Sequence, residues 1–298
     1  MSPRAQARFL PDGQRLHLSD GPIDIVLQAF GSQVEVEAVY RAAVARFSTV
    51  LDELCSELPA LREQARAGKR FPSGVIARRM FSAVLPFAKD TFITPMAAVA
   101  GAVAEELLTA MTTSGNLRRV YVNNGGDIAL HIGIGEHFLV GMIDRPDHPS
   151  LFGKISLDSN QPVRGIATSG WRGRSFSLGI ADAVTVLAKT ASMADAAATM
   201  VANAVDLPGH PAISRTPASE ISPDSDLRNI LVTTFVGELT PEEVDRALSL
   251  GEACAQRLAA SGLIHAAALR LQGQNRITAS DEFDHAAASY LDRSLTHA

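Results

Sequence analysis

Aromatic side chains are scarce in this 298-residue chain: they make up 5% of it, with a single tryptophan, Trp171. The core must therefore be built mainly from Ala, Val, Leu and Ile, and such small side chains suit helices packed closely against sheets. Cysteine is nearly absent. Cys55 and Cys254 are the only two, both in helical stretches, which argues against a disulfide-stapled secreted scaffold and reads as free thiols in a reducing cytoplasm. No excess of positive charge is present: the formal net charge is -5. That argues against nucleic acid as a partner, because binding to phosphates needs a basic surface. Long apolar runs are missing too. The Ala-rich stretch 96–111 is broken by Glu105 and Glu106, well short of the roughly 20 apolar residues of a membrane span. Met1-Ser2-Pro3-Arg4-Ala5-Gln6 opens no apolar run, so the expectation is no signal peptide, no membrane association and a cytoplasmic protein.

The patterns that are present point to an α+β fold with largely antiparallel sheets flanked by helices. Arg15–Leu18 and Ile23–Leu27 read as strands joined by the turn Ser19-Asp20-Gly21-Pro22. Val39, Ala43, Phe47, Leu51, Leu54 and Leu58 recur at helical spacing within 35–67, with Pro59 as a break. Further helices are expected at 73–88, 95–113, 193–205 and 241–261. The last is introduced by Thr240-Pro241-Glu242-Glu243, in which Thr caps and the acids suit the positive helix end. Strands are expected at 120–122, 128–132, 138–143, 153–158, 163–168, 175–179, 183–188, 229–236 and 264–271. Gly133-Ile134-Gly135-Glu136 suggests a hairpin between the second and third of these. Residues 208–226, rich in Pro, Ser, Asp and Gly, read as a loop or linker, and the tail beyond 280 as a short helix or partly ordered. The whole chain, 1–298, reads as a single domain with room for two lobes.

Three segments carry residues suited to chemistry. Asn123-Asn124-Gly125-Gly126-Asp127 places two glycines between apolar strands, which fits either a tight turn or a backbone brought close to a ligand. Thr168-Ser169-Gly170-Trp171-Arg172 offers hydroxyls, backbone N–H groups and a guanidinium, the ingredients of a phosphate cradle, or else an exposed polar loop. Asp195 and Thr199 stand one helical turn apart, so a carboxylate and a hydroxyl share a stripe that could face Mg²⁺. Equally, Ser192 could cap that helix with Asp195 completing a capping box. Asp144–His148 reads as a solvated turn.

These segments, in this order, resemble the ApbE-like superfamily, whose flavin transferases carry an Asn-x-Gly-Gly-Asp turn, a Thr-Ser-Gly loop and an Ala-Asp-x-x-x-Thr helix. The helix containing Val99–Glu105 is similar to the family's helix near the flavin. The resemblance covers about residues 90–205 and is strongest to the UPF0280 branch. It implies FAD and Mg²⁺ as ligands, with Asp195 and Thr199 at the metal. It also implies a nucleotide site lined by Asn124, Gly125, Gly126, Asp127, Thr168, Ser169, Gly170 and Arg172. FMN transfer would require an acceptor protein; a homo-oligomer is left open. Ala100 stands where the transferases usually have Lys, and Glu105 where they have Asp. Ser175–Asp182 replaces their His-containing Asp-Pro-x-x-Gly stretch, leaving Asp182 as the candidate base. The alternative is a binding protein for a flavin or pterin-like cofactor that has lost the transfer chemistry.

Overall fold

The computed structural model describes residues 4–143 and 151–279. The expected turn at 144–148 and the tail beyond 280 lie outside them. In chain order the elements are β1 (Gln6–Phe9), β2 (Leu16–Asp20), β3 (Ile23–Phe30), α1 (Gln33–Ser56), α2 (Leu58–Leu61), α3 (Val75–Val84) and α4 (Val99–Ser114). Next come β4 (Arg119–Asn124), β5 (Asp127–Ile132), β6 (His137–Ile143), β7 (Leu151–Asp158), β8 (Gly165–Ser169), β9 (Ala183–Ala188) and α5 (Ala191–Ala204). The last are β10 (Ile213–Pro217), α6 (Ala218–Ile221), β11 (Leu231–Val236), α7 (Pro241–Ala260), β12 (Ala266–Leu271) and β13 (Gln274–Ala279). The class is α+β. Described residues within Met1–Phe138, Leu157–Ala167 and Lys189–Asp195 form one compact unit, and those within Leu139–Ser156, Thr168–Ala188 and Ala196–Ala298 a second.

In the first unit, β1, β2, β3, β4, β5 and β8 are neighbours in that order, with antiparallel pairings throughout. Period-two patterning turns Leu16 and Leu18 of β2 and Ile25, Leu27 and Ala29 of β3 inward, where α1 and α4 lie against the sheet. β1 contributes little to this core: all four of its residues are exposed. α1 begins with a full capping box, Ser32 with Glu35, and buries Val39, Ala43, Phe47, Val50 and Leu54 along one stripe. Pro59 falls in α2, just past the end of α1, where a ring without an N–H starts a new turn rather than kinking the old one. Arg46 on α1 reaches Glu106 on α4 at 2.7 Å, and Arg79 on α3 bonds the same carboxylate, joining three helices. Burial pushes Glu106 up, but hydrogen bonds from Arg46 and Arg79 outweigh it and hold the carboxyl below its usual range.

In the second unit, β9, β12 and β13 pair antiparallel beneath α7. β9 is buried along its whole length. The Thr240 hydroxyl accepts from the Glu243 N–H at 3.3 Å, and Glu243 accepts in return from the Thr240 N–H at 2.9 Å. Removing this cap by Thr240→Ala should lower stability by about 1 kcal/mol, read as a shift of the urea midpoint at unchanged slope.

Three expectations are corrected. β6 does not hairpin onto β5; it pairs with β7. The far edge of β5 is already taken by β8, with Ile128 opposite Ile166. Gly133 also turns the chain back onto Arg118, whose carbonyl its N–H meets at 2.8 Å. Residues 175–179 are irregular rather than a strand. Their backbone groups are engaged elsewhere: the Leu178 N–H donates to the Asn203 side chain at 2.9 Å, and the Ser177 carbonyl accepts from the Thr233 N–H at 2.9 Å. The 208–226 segment is not loop throughout. It contains β10, paired antiparallel with β11 from Ile213 opposite Val236 to Pro217 opposite Leu231. β10 is half-exposed, so no alternation marks it, and Pro217 is tolerated at its end.

Candidate functional site

The Gly125-Gly126 segment is the two-residue turn of the β4–β5 hairpin. Asn124 pairs with Asp127 across it, and both glycines have positive φ, 67° and 114°, as the preferred hairpin turn demands. The Asn123 side chain accepts from the Gly126 N–H at 2.8 Å, and a Cβ on Gly126 would meet open space. The turn is therefore built locally. Asn124 serves a longer-range purpose: buried, it donates from Nδ2 to the Ala100 carbonyl at 3.1 Å, tying the hairpin to the first turn of α4.

That first turn is the centre of the first unit's arrangement. Asp195, on α5, accepts from the Gly101 N–H through Oδ2 at 3.0 Å and also engages the Ala100 backbone. In exchange Glu105, on α4, accepts from the Ser192 N–H through Oε1 at 2.6 Å. Each helix thus supplies a carboxylate to the N-terminus of the other, where unpaired N–H groups and the helix dipole favour negative charge. Gly101 makes the crossing possible. A Cβ there would lie 2.3 Å from the Ala191 carbonyl oxygen and 2.7 Å from the Ser192 nitrogen. Asp195 keeps a partial opening to solvent yet is surrounded by protein. Desolvation lifts its carboxyl from 3.8 to about 7; Glu105 adds to the rise, and the backbone N–H bonds oppose it.

The local capping expectation for α5 is corrected. Its cap is Thr190, whose hydroxyl accepts from the Met193 N–H at 3.3 Å. Ser192 lies inside the helix, and Asp195 faces α4 rather than its own helix start. Thr199 follows Asp195 by one turn on α5 and is partly exposed.

The second unit holds the other group. Thr168, at the end of β8, shares a hydroxyl hydrogen bond with Thr185 of β9 at 2.9 Å. Gly170 packs so tightly that a Cβ would sit 2.4 Å from the Asp182 carbonyl oxygen, while the neighbouring Ser169 is half-exposed. The Trp171 indole donates from Nε1 to Asp182 Oδ1 at 3.3 Å, and Arg172 Nε reaches the same oxygen at 3.2 Å. The Arg172 guanidinium carbon lies 4.3 Å from the indole centroid, a cation–π stack. Asp182 Oδ2 accepts from the Gln272 N–H at 2.7 Å. Gln272 carried no signal in the sequence; its role depends on contacts between segments far apart in the chain.

The candidate residues fall into two sets: Asn124–Asp127 with Asp195 through the start of α4, and Thr168–Arg172 around Asp182. Among the described residues no group of three or more His, Cys, Asp or Glu is arranged to hold a metal. No helix there is long and apolar enough to cross a membrane.

Residues 7–277 match the family model described as AbpE bacteria. Among curated proteins, a UPF0280 protein of Methanopyrus kandleri is 42% identical over 129 residues, covering 43% of this chain and 48% of that one. A UPF0280 protein of Archaeoglobus fulgidus is 39% identical over 135 residues, 44% of this chain and 51% of that one. The chain thus spans about half the length of the curated relatives it matches. Among solved structures, apo flavinyl transferase ApbE of Pseudomonas stutzeri aligns over 96% of this chain and 98% of its own. The identity there is 12% and the TM-score 0.49.

Proposed function

This chain belongs to the AbpE bacteria family, within the ApbE-like superfamily, and on that footing we propose that it binds FAD together with Mg²⁺. The observation that carries the reading is the placement of Asp195. A largely enclosed carboxylate at the N-terminus of α4, to which Asn124 ties the β4–β5 hairpin, is costly to bury, and a cation beside it would offset that cost. Asp195 and Thr199 would supply oxygen ligands to Mg²⁺. Two protein oxygens suit that ion, which usually keeps several waters and takes the rest of its ligands from phosphates. Mg²⁺ held there would neutralise charge on the pyrophosphate oxygens, which would ease cleavage of a P–O bond in the P–O–P bridge. Asn124, Gly125, Gly126 and Asp127 are assigned to the nucleotide. Thr168, Ser169, Gly170 and Arg172 are assigned to the phosphates, through hydroxyls, backbone N–H groups and guanidinium.

Whether the protein transfers FMN or only binds turns on a base. Both oxygens of Asp182 already accept hydrogen bonds from Trp171, Arg172 and Gln272. With its oxygens committed to holding these three groups, Asp182 has a positioning role, which favours the second reading, a flavin- or pterin-like-cofactor binder without transfer chemistry. Titration of FAD with and without Mg²⁺ tests the shared part. Tighter binding with Mg²⁺ is expected, and Asp195→Ala should abolish that difference; equal affinities in both proteins would remove the metal assignment. Incubation with FAD, Mg²⁺ and candidate acceptor proteins separates binding from chemistry, because a pure binder releases no AMP, while FMN transfer, or cleavage of the FAD pyrophosphate by water, does.

A further inference from the structure

Gln272 occupies an unusual place. With Gly273 it forms the two-residue turn between β12 and β13, at φ 42° and 86° respectively. The first position of such a turn favours Asn, Asp or Gly, and an ordinary side chain in the left-handed region is strained. The Gln272 side chain is fully employed nonetheless. Its Oε1 accepts from the Leu239 N–H at 3.1 Å, and its Nε2 donates to the Gly237 carbonyl at 2.7 Å. The hairpin turn is thereby clasped to the segment leading into α7. From this fixed position the Gln272 backbone N–H points at Asp182 Oδ2. The opposite oxygen of Asp182 holds both the indole N–H and the guanidinium of the Trp171–Arg172 pair.

We propose that Gln272 and Asp182 are positioning residues. They form a relay that sets the stacked Trp171–Arg172 pair in the pose that meets the phosphate-bearing ligand. The ligand half of this statement rests on the FAD reading above; the relay itself does not. Arg172 is exposed and Trp171 half-buried, so the pair presents a cation laid on an aromatic face. Such a surface suits an anionic group joined to a planar ring. The carboxylate beneath fixes the guanidinium plane, which matters because Arg recognises phosphate oxygens through a directional fork.

Trp171 is the only tryptophan in the chain, so indole fluorescence reports on this one site. Three variants of the full chain are compared with the parent, by quenching without ligand and then by FAD titration: Gln272→Gly, Asp182→Asn and Gln274→Ala. Gln272→Gly suits the turn's backbone better than the native residue, so it should fold while losing the clasp. Asp182→Asn cannot accept on both sides at once. Gln274→Ala, on the same hairpin with a contact to Pro241, serves as the control. Acrylamide quenching of Trp171 should rise about two-fold in the first two variants, as the loop opens locally, and stay unchanged in the third. FAD affinity should fall roughly ten-fold in the first two, the loss of one well-oriented charged contact. Unchanged quenching in both Gln272→Gly and Asp182→Asn overturns the relay. A change in Asp182→Asn alone removes Gln272 from it. If the parent protein binds no FAD while the quenching pattern holds, the relay stands and the ligand assignment fails.

Discussion

Gly101→Ala should be among the most damaging single-methyl changes in the first unit. The added Cβ would meet the Ala191 carbonyl oxygen at 2.3 Å and the Ser192 nitrogen at 2.7 Å, and both are backbone atoms that no rotamer can move. Overpacking against side chains costs about 1–3 kcal/mol. Here α4 and α5 must separate, and separation also lengthens the bonds from Gly101 to Asp195 and from Ser192 to Glu105. A loss of roughly 3–4 kcal/mol is expected, the sum of the overpacking and of weakened charge-assisted bonds. Urea unfolding measures it. A loss below about 1 kcal/mol, the level of an ordinary mutation, would mean that the crossing is looser than described.

The second large effect is a change in pH dependence on Asp195→Asn. Burial, reinforced by Glu105, raises the native carboxyl to about 7, against 3.8 for the ordinary group. Between those values the folded protein binds more protons than the unfolded chain. The stability contributed by this group is therefore complete below about pH 4 and is lost as pH rises through 7. At 1.36 kcal/mol per unit, the loss across the window is roughly 2–4 kcal/mol. Asn keeps an acceptor for the Gly101 N–H but cannot ionise. The variant should match the parent near pH 4 and melt higher than it at pH 8. With FAD present in both, added Mg²⁺ should narrow that gap at pH 8, because on the proposed reading the metal tightens binding in the parent alone. Parallel curves for the two proteins would show that the ionised carboxylate is not strained in the fold.

Much of the scaffold was legible because its signals are local. The α1 stripe, the capping Thr240 with its acidic first turn before α7, and the alternation of β2 and β3 each lie within a window no longer than the element. The diglycine turn was legible as well, since positive φ at two successive residues leaves few choices. What escaped depends on partners remote in the chain. The Gly-rich turn after β5 was visible, but not that β8 would occupy the edge β6 was expected to take. Ser192 and Asp195 have capping-box spacing, yet the helix starts earlier at Thr190, and the carboxylate serves α4. Gln272 looks like an ordinary polar residue until the Gly237–Leu239 segment and Asp182 are placed around it.

β1 bears on how the molecule avoids its own copies. A strand at the end of a sheet offers unpaired backbone groups to any passing chain, a common start of aggregation. This one is only four residues long. Arg8 on it is hydrogen-bonded to His17, and Phe9 leans on the Tyr40 ring, with centroids 5.8 Å apart. Just before it, Arg4 is fastened to Asp20 at 2.6 Å and to Asp52 at 2.9 Å. A short, charged and tethered border of this kind gives an incoming strand little length to copy.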